Sequence, residues 1–243
     1  MALLQAPAKL TLTLRITGVR PDGFHLIDAE MVTLDLADTV EIDDASESTL
    51  SVDGTFADGV PTDSSNLVMK ALGLAGRTAR VRVTKNIPNG GGLGGGSADA
   101  AAVLRWTGFT DLEAAAATGA DIAFCMVGGR ARVTGIGEKV EPLPHTDRAF
   151  TLVIPPLHVS TPAVYRAWDE LGGPVTHPVN HLTEAAIAVE PRLGHWQEMI
   201  RQAAGEEPVL AGSGATWFLH GHHGAIAGKL PGATVITTNT RPA

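Results

Sequence analysis

Six of the seven residues from 90 to 96, within TKNIPNGGGLGGGSADAAAVLRW, are glycine, and an alanine-rich, helix-forming run follows at once. Glycine loses more conformational freedom on folding than any other residue. A run this dense is retained where the backbone takes positive φ or approaches another group closely. The flanks decide between that use and a flexible linker. Upstream, ARVRVTK alternates Ala79, Val81 and Val83 with Arg80, Arg82 and Thr84, the period of a half-buried strand. Downstream, Ser97 is placed to cap a helix with Asp99 in its first turn and residues 100–104 in its body. Strand, glycine loop and helix N-terminus in that order form an anion site. Unobstructed backbone N–H groups and the partial positive charge of the helix end together favour a phosphate. No lysine follows the glycines, which excludes the Walker A pattern, and the match to the dinucleotide G-x-G-x-x-G is loose.

Composition narrows the class. With 243 residues, 44% of them hydrophobic, the chain can bury a sizeable core, as one large domain or two small ones. A net charge of −8 without a Lys/Arg cluster excludes general nucleic-acid binding, so any anion is held locally. The single cysteine, Cys125, excludes an intramolecular disulfide and suits a reducing compartment. MALLQAPAKLTL lacks a basic leader region, and no run approaches the ~18 apolar residues of a membrane span. The expectation is a cytoplasmic, enzyme-sized protein with no membrane and no obligate protein partner.

Along the chain, KLTLTLRI puts Leu10, Leu12, Leu14 and Ile16 on one face and Lys9, Thr11, Thr13 and Arg15 on the other, a strand with one wet face. GVRPDGFH is a turn, and strand material follows to about Ile42. The acidic stretch 43–65 predicts one strand between surface loops, then a helix over 66–74 capped by Ser64 or Ser65. DLEAAAATG predicts a helix stopped at Gly119, and ADIAFCMVGG a short one capped by Asp121 and ended by Gly128 and Gly129. Strands are expected over 131–134 and 140–143. Near residue 148 the pattern restarts with the strand FTLVIPP and the helix STPAVYRAWDEL, with Thr161 as N-cap and Pro162 at the first helical position. Helices within 182–204, a second glycine turn in VLAGSGATWFL and a closing strand ATVITT complete the chain.

PAKLTLTLRITGVRPDGFH, IPNGGGLGGGSADAAAVL, LAGSGATWF and GAD at 119–121 together resemble the GHMP kinases, the small-molecule kinases named after galactokinase, homoserine kinase, mevalonate kinase and phosphomevalonate kinase. The likeness runs from residue 6 to about 220. The doubled GGGLGGGS and the DGFH after the first strand make it most similar to the branch that phosphorylates the 2-hydroxyl of 4-diphosphocytidyl-2-C-methyl-D-erythritol in non-mevalonate isoprenoid biosynthesis. The resemblance implies a two-domain α+β fold with the active site in the cleft between the domains. Residues 1–148 would form the ATP-binding and catalytic domain, and residues 149–243 a smaller α+β domain completing the substrate site.

It also implies ATP and Mg²⁺ as cofactors and a small cytidyl-diphosphate substrate. Pro88, Asn89, Gly90, Gly91, Gly92, Leu93, Gly94, Gly95, Gly96 and Ser97 would wrap the ATP phosphates, with the Ser97 hydroxyl reaching phosphate or Mg²⁺. Asn66 matches an adenine-proximal asparagine, and is equally a helix-start residue. Lys9 and Asp121 occupy the catalytic positions: the carboxylate accepts the hydroxyl proton as attack proceeds, and the cation stabilises charge on the incoming oxygen. Seen alone, they would be an exposed strand lysine and a helix cap. Phe24 and His25 match the pair that holds cytosine, with Phe24 where tyrosine is more familiar. Thr161 and Tyr165 match the segment closing over the methylerythritol end, although Tyr165 is equally a residue of a capped amphipathic helix.

Three departures from the pattern stand out. Thr11 replaces the usual asparagine at a substrate-contacting position, Ala123 replaces a proline, and the stretch between Ser97 and Asp121 is short. Two rival functions remain open: a GHMP-type kinase of another small alcohol, such as homoserine or a mevalonate derivative, and a non-catalytic binding relative. HGHHG at 220–224 reads as a glycine-rich loop after a strand without a carboxylate partner, and Cys125 as a small core residue.

Overall fold

The computed structural model describes every residue from Met1 to Ala243. Two long strands set the frame, β1 (Ala2–Val19) and β2 (His25–Asp44), paired antiparallel through a hairpin whose tip carries Phe24. The remaining elements of the first half are β3 (Thr49–Asp53), α1 (Leu67–Leu74), β4 (Ala79–Thr84), α2 (Gly95–Thr107), α3 (Leu112–Thr118), α4 (Ile122–Val127), β5 (Arg130–Gly135) and β6 (Lys139–Leu143). The length of β2 lets it serve two neighbours on its second edge: residues 39–44 pair with β4, and residues 27–32 with β5. The sheet therefore runs β3-β4-β2-β5-β6 with β1 along the other side of β2, and only β3 and β4 are parallel.

The alternation in β4 appears as expected, with Ala79, Val81 and Val83 buried beneath helices and Arg80 and Arg82 exposed. In β1 the expected wet face is dry where it matters: Lys9 and Thr11 are buried along with Leu10 and Leu12. Register irregularities between Pro7 and Lys9 and between Thr11 and Thr13 break the simple alternation. Both faces of this stretch are covered, one by a second sheet and one by the glycine loop. A strand covered on both faces does not show a polar-out pattern.

The second sheet is antiparallel, in the order β10 (Thr234–Asn239), β7 (Ala149–Ile154), β9 (Trp217–His220), β8 (Val209–Leu210). The helices α5 (Thr161–Glu170), α6 (Thr183–Val189) and α7 (Arg192–Ala204) lie between β7 and β8 in the chain. Leu10 and Leu12 of β1 and Leu34 of β2 share an apolar cluster with Phe150, Leu152 and Phe218 of the second sheet, so one core fastens the two sheets. Burial of a leucine-sized side chain in such a core is worth roughly 1.5–3 kcal/mol. The sheets are also stitched at one edge. Asp35 accepts from the backbone and side chain of Asn239 at 3.0 Å each, and Leu34 bridges to Thr240.

Helix starts differ from expectation by one to three residues. Asn66, not a serine, caps α1, accepting from Val68 N at 2.8 Å. The helix α2 begins at Gly95 behind Gly94 in the left-handed region, so Ser97 lies inside its first turn and caps nothing. Ser160 occupies the cap position of α5, which makes Thr161 the first helical residue. No helix is long and apolar enough to cross a membrane.

Candidate active site

The glycine loop is clamped between β1 and the second glycine turn. Lys9 N donates to Leu93 O at 3.0 Å, and Thr216 N to Gly91 O at 3.3 Å. Gly90, Gly92 and Gly94 have φ of +72°, +74° and +70°. A Cβ on Gly92 would lie 2.7 Å from Gly214 O, and one on Gly94 2.8 Å from the Lys9 Cγ. The loop thus needs glycine both for left-handed backbone and for close approach. Two of its carbonyls, those of Gly91 and Leu93, are taken up by the bonds from Thr216 N and Lys9 N. None of the backbone N–H groups of residues 90–97 finds an acceptor in the chain. Eight successive free donors ending at the N-terminus of a 13-residue helix can cradle an anion.

Immediately beside it, Lys9 reaches 3.2 Å from Asp121 Oδ2 and donates to Thr11 Oγ1 at 3.2 Å. Asp121 sits at the cap position of α4 but makes no cap bond; its carboxylate faces Lys9 instead. The segment carrying it is braced by the β5–β6 turn, where a Cβ on Gly137 would come within 2.7 Å of Ala120 O. Lys9 is buried, and the Asp121 side chain is 30% exposed. The pair is therefore fixed at its back and open at its front.

The opening leads into a cleft of about 810 Å³ lined by Lys9, Thr11, Phe24, His25, Gly92, Asp121, Thr161 and Tyr165 among others. Residues from both ends of the chain meet there. Thr161 Oγ1 and Ser213 Oγ lie 2.8 Å apart, tying the start of α5 to the second glycine turn. His25 Nε2 is 2.8 Å from Asp169 Oδ1, and its ring lies 4.8 Å from that of Tyr165 and 5.7 Å from that of Trp168. Phe24 is 58% exposed at the rim. Burial, and then the nearby Asp121 charge, push the Tyr165 hydroxyl up to about 12, so it remains a phenol at neutral pH.

Other residues singled out in the sequence lie outside this cleft. Of the loop only Gly92 lines it; Gly90, Gly91 and the stretch 93–97 carry the remaining free N–H groups, while Pro88 has no N–H to offer and the Asn89 side chain donates to Phe56 O. Asn66 also lies elsewhere, with its amide engaged: Oδ1 in the helix cap and Nδ2 donating to Pro61 O at 2.7 Å. Cys125 is buried, and burial pushes its thiol up to about 12, which leaves it inert. In the histidine-rich loop, His223 does have a carboxylate neighbour, Glu206 at 3.2 Å, which comes from the segment just after α7.

Sequence reasoning missed a buried charge cluster under the loop. Lys85, at the end of β4, is bonded to Asp38 of β2 and, at 2.6 Å, to Asp99 of α2, and all three are buried. Asp38 also accepts from the N–H groups of Asn86 and Ile87 at 2.5 and 2.8 Å. Burial opposes the Lys85 charge, but two carboxylates outweigh it and hold its pKa above the ordinary value. Asp99 goes the other way: burial, against the pull of Lys85 and with the push of Asp38, raises it to about 7. Its Oδ1 has no partner. The only sequence signal was a lysine five residues before the first glycine of the run, because Asp38 lies 47 residues away.

Comparison with known proteins places this geometry. The signature described as GHMP kinases N terminal domain matches residues 64–129. The 4-diphosphocytidyl-2-C-methyl-D-erythritol kinase of Paracoccus denitrificans is 37% identical over 98% of this chain and 96% of its own. The chain belongs to that kinase family, a branch of the GHMP kinases. The kinase of the same name from Ruegeria pomeroyi is 36% identical over 88% of this chain and 86% of its own. A crystal structure of 4-(cytidine 5'-diphospho)-2C-methyl-D-erythritol kinase superposes with a TM-score of 0.75 at 27% identity, covering 99% of this chain and all of that one. The structure of L. major mevalonate kinase in complex with R-mevalonate shares the fold at a TM-score of 0.69 and 14% identity, over 100% of this chain and 97% of that one. As a GHMP kinase the protein is an ATP-dependent small-molecule kinase.

Proposed function

We propose that this kinase transfers the γ-phosphoryl group of ATP to the 2-hydroxyl of 4-diphosphocytidyl-2-C-methyl-D-erythritol, yielding the 2-phosphate and ADP. The observation that carries the reading is the Lys9–Asp121 pair, 3.2 Å apart and open to a cleft that Phe24 and His25 also line. The relatives named above supply the substrate class.

The cradle of N–H groups over residues 90–97 fits the phosphate chain of ATP, donors to its oxygens, with the α2 N-terminus adding partial positive charge. Mg²⁺ would be held by the nucleotide phosphates, with the Ser97 hydroxyl in the first turn of α2 as its protein contact. Bound there, the ion supplies charge neutralisation on the phosphates.

Asp121 takes the proton of the substrate hydroxyl as its oxygen attacks phosphorus; the bond from γ-phosphorus to the bridging oxygen breaks, and ADP leaves. Lys9 stabilises charge on the attacking oxygen, and Thr11, bonded to Lys9, keeps that ammonium aimed. Thr161 and Tyr165 close the methylerythritol end, and Phe24 and His25 hold the base. In this reading residues 1–148 bind ATP and perform the chemistry, residues 149–243 complete the substrate site, and the enzyme works in the cytoplasm without an obligate partner.

An ADP-release assay with the cytidyl substrate, homoserine and mevalonate in parallel tests it. Turnover of the cytidyl substrate alone is expected; turnover of homoserine or mevalonate in preference would replace the reading with another GHMP activity, and no ADP from any of them would favour a non-catalytic relative.

A further inference from the structure

We propose that Asp169 is a positioning residue that sets which base the cleft accepts, by accepting a hydrogen bond from the Nε2–H of His25 and so leaving Nδ1 as a lone-pair acceptor for the amino group of a pyrimidine. The inference rests on the reading of the cleft as a cytidyl site and adds to it the origin of base selectivity.

His25 opens β2, and its side chain is 9% exposed. The helix α5 grips it through one face. Tyr165, Trp168 and Asp169, at spacings of three and four, put two rings and a carboxylate around the imidazole. The hydrogen bond to Asp169 Oδ1 at 2.8 Å uses Nε2. The other ring nitrogen bonds to nothing in the chain and is not among the sealed, unpartnered polar atoms, and both His25 and Asp169 line the cleft.

An ionised carboxylate only accepts hydrogen bonds, so its partner nitrogen carries the hydrogen. In a neutral imidazole the second nitrogen is then a lone pair, and which nitrogen is which follows from the bond the other makes. A pyrimidine with a 4-amino group offers an N–H to that lone pair. One with a 4-oxo group brings lone pair against lone pair, and a site whose polar group is left unmatched rejects such a ligand. Asp169 touches no reacting atom, so its effect should appear in binding of the base and not in the chemical step.

The test compares the cytidyl substrate with its uridyl analogue in the wild type, Asp169→Asn and Asp169→Glu. The wild type should prefer the cytidyl substrate by at least ~10²-fold in kcat/KM. In Asp169→Asn, whose amide can donate as well as accept, KM for the cytidyl substrate should rise about tenfold while KM for the uridyl analogue holds or falls. The kcat for the cytidyl substrate and the KM for ATP should stay near wild type, and Asp169→Glu should restore part of the preference. In ¹⁵N-labelled wild-type protein, at a pH where free histidine is neutral, His25 should carry its proton on Nε2. Asp169 is half exposed, so neither substitution endangers the fold. An unchanged base preference in Asp169→Asn, an equal rise of KM for both bases, or a proton on Nδ1 in the wild type would each overturn the role of Asp169 while leaving the cytidyl kinase standing. Wild-type enzyme that turns over neither pyrimidine substrate but phosphorylates another alcohol would overturn the cleft reading itself, and the proposal with it.

Discussion

Lys9 and Lys85 are both buried against aspartate, yet their surroundings give them different work. Lys9 meets one carboxylate that opens to the cleft, whereas Lys85 is sealed between Asp38 and Asp99, whose side chains are 0% and 6% exposed. The first arrangement can be reached by a substrate. The second holds β2, β4 and α2 together beneath the glycine loop. One cation between two anions leaves an excess negative charge in a poorly polarisable interior, and this is why burial raises Asp99 to about 7 from an ordinary value of 3.8. A carboxyl whose folded pKa lies above its unfolded one contributes stability below the unfolded value and loses it as pH rises through the folded value. Asp99→Asn keeps the shape without this titration. The melting temperature of the variant, relative to wild type, should therefore move in the variant's favour between about pH 4 and pH 8. A difference that stays flat over that range would mean that Asp99 remains ionised beside Lys85 throughout.

At the level of elements, the strand, glycine loop and α2 show what can be read from local pattern and what cannot. The alternation of β4 depends only on neighbours two apart, and it was legible. Lys9 and Thr11 in β1 were assigned to a wet face because their covers, the glycine loop and the second sheet, come from residues far along the chain. The start of α2 was misplaced for another reason: a glycine in the left-handed region can head a helix without any capping side chain, so Ser97 attracted a role that Gly94 fills through backbone geometry. The need for glycine is likewise uneven along the loop. Gly96 has no left-handed φ, and a Cβ there would meet only Leu67 Cδ1 at an ordinary 3.7 Å. Gly96→Ala should stabilise the protein by about 0.5–1 kcal/mol, seen as a rise of roughly 1–4 °C in Tm. Gly94→Ala should lower Tm, because left-handed backbone costs a residue with a side chain about 1–2 kcal/mol. It should also slow turnover by pushing on the Lys9 stem, 2.8 Å from the new Cβ. Equal losses in both variants would show that the loop is intolerant for a reason other than this geometry.

Over the whole molecule, the cleft exists because the two sheets are fastened to each other. Leu10 and Leu12 pack with Phe150 and Phe218, and Asp35 holds Asn239, while β1, β2, α3, α5 and the second glycine turn supply the walls. Short motifs announced those walls in the sequence, but the partners that aim them stayed hidden. Asp169 lies 144 residues from His25, and Ser213 lies 52 from Thr161. The free N–H groups of the loop beside the Lys9–Asp121 pair, which opens to the cleft, make in-line transfer to a hydroxyl the central claim. Its most direct test is the single-turnover rate of Asp121→Asn, with the affinities for ATP and the cytidyl substrate measured by calorimetry on the same preparation. Asparagine preserves the shape of the aspartate side chain, but it cannot take a proton. The rate should fall by ~10²-fold or more with both affinities nearly unchanged; a rate near that of the wild type would contradict the claim and return Asp121 to the start of a helix.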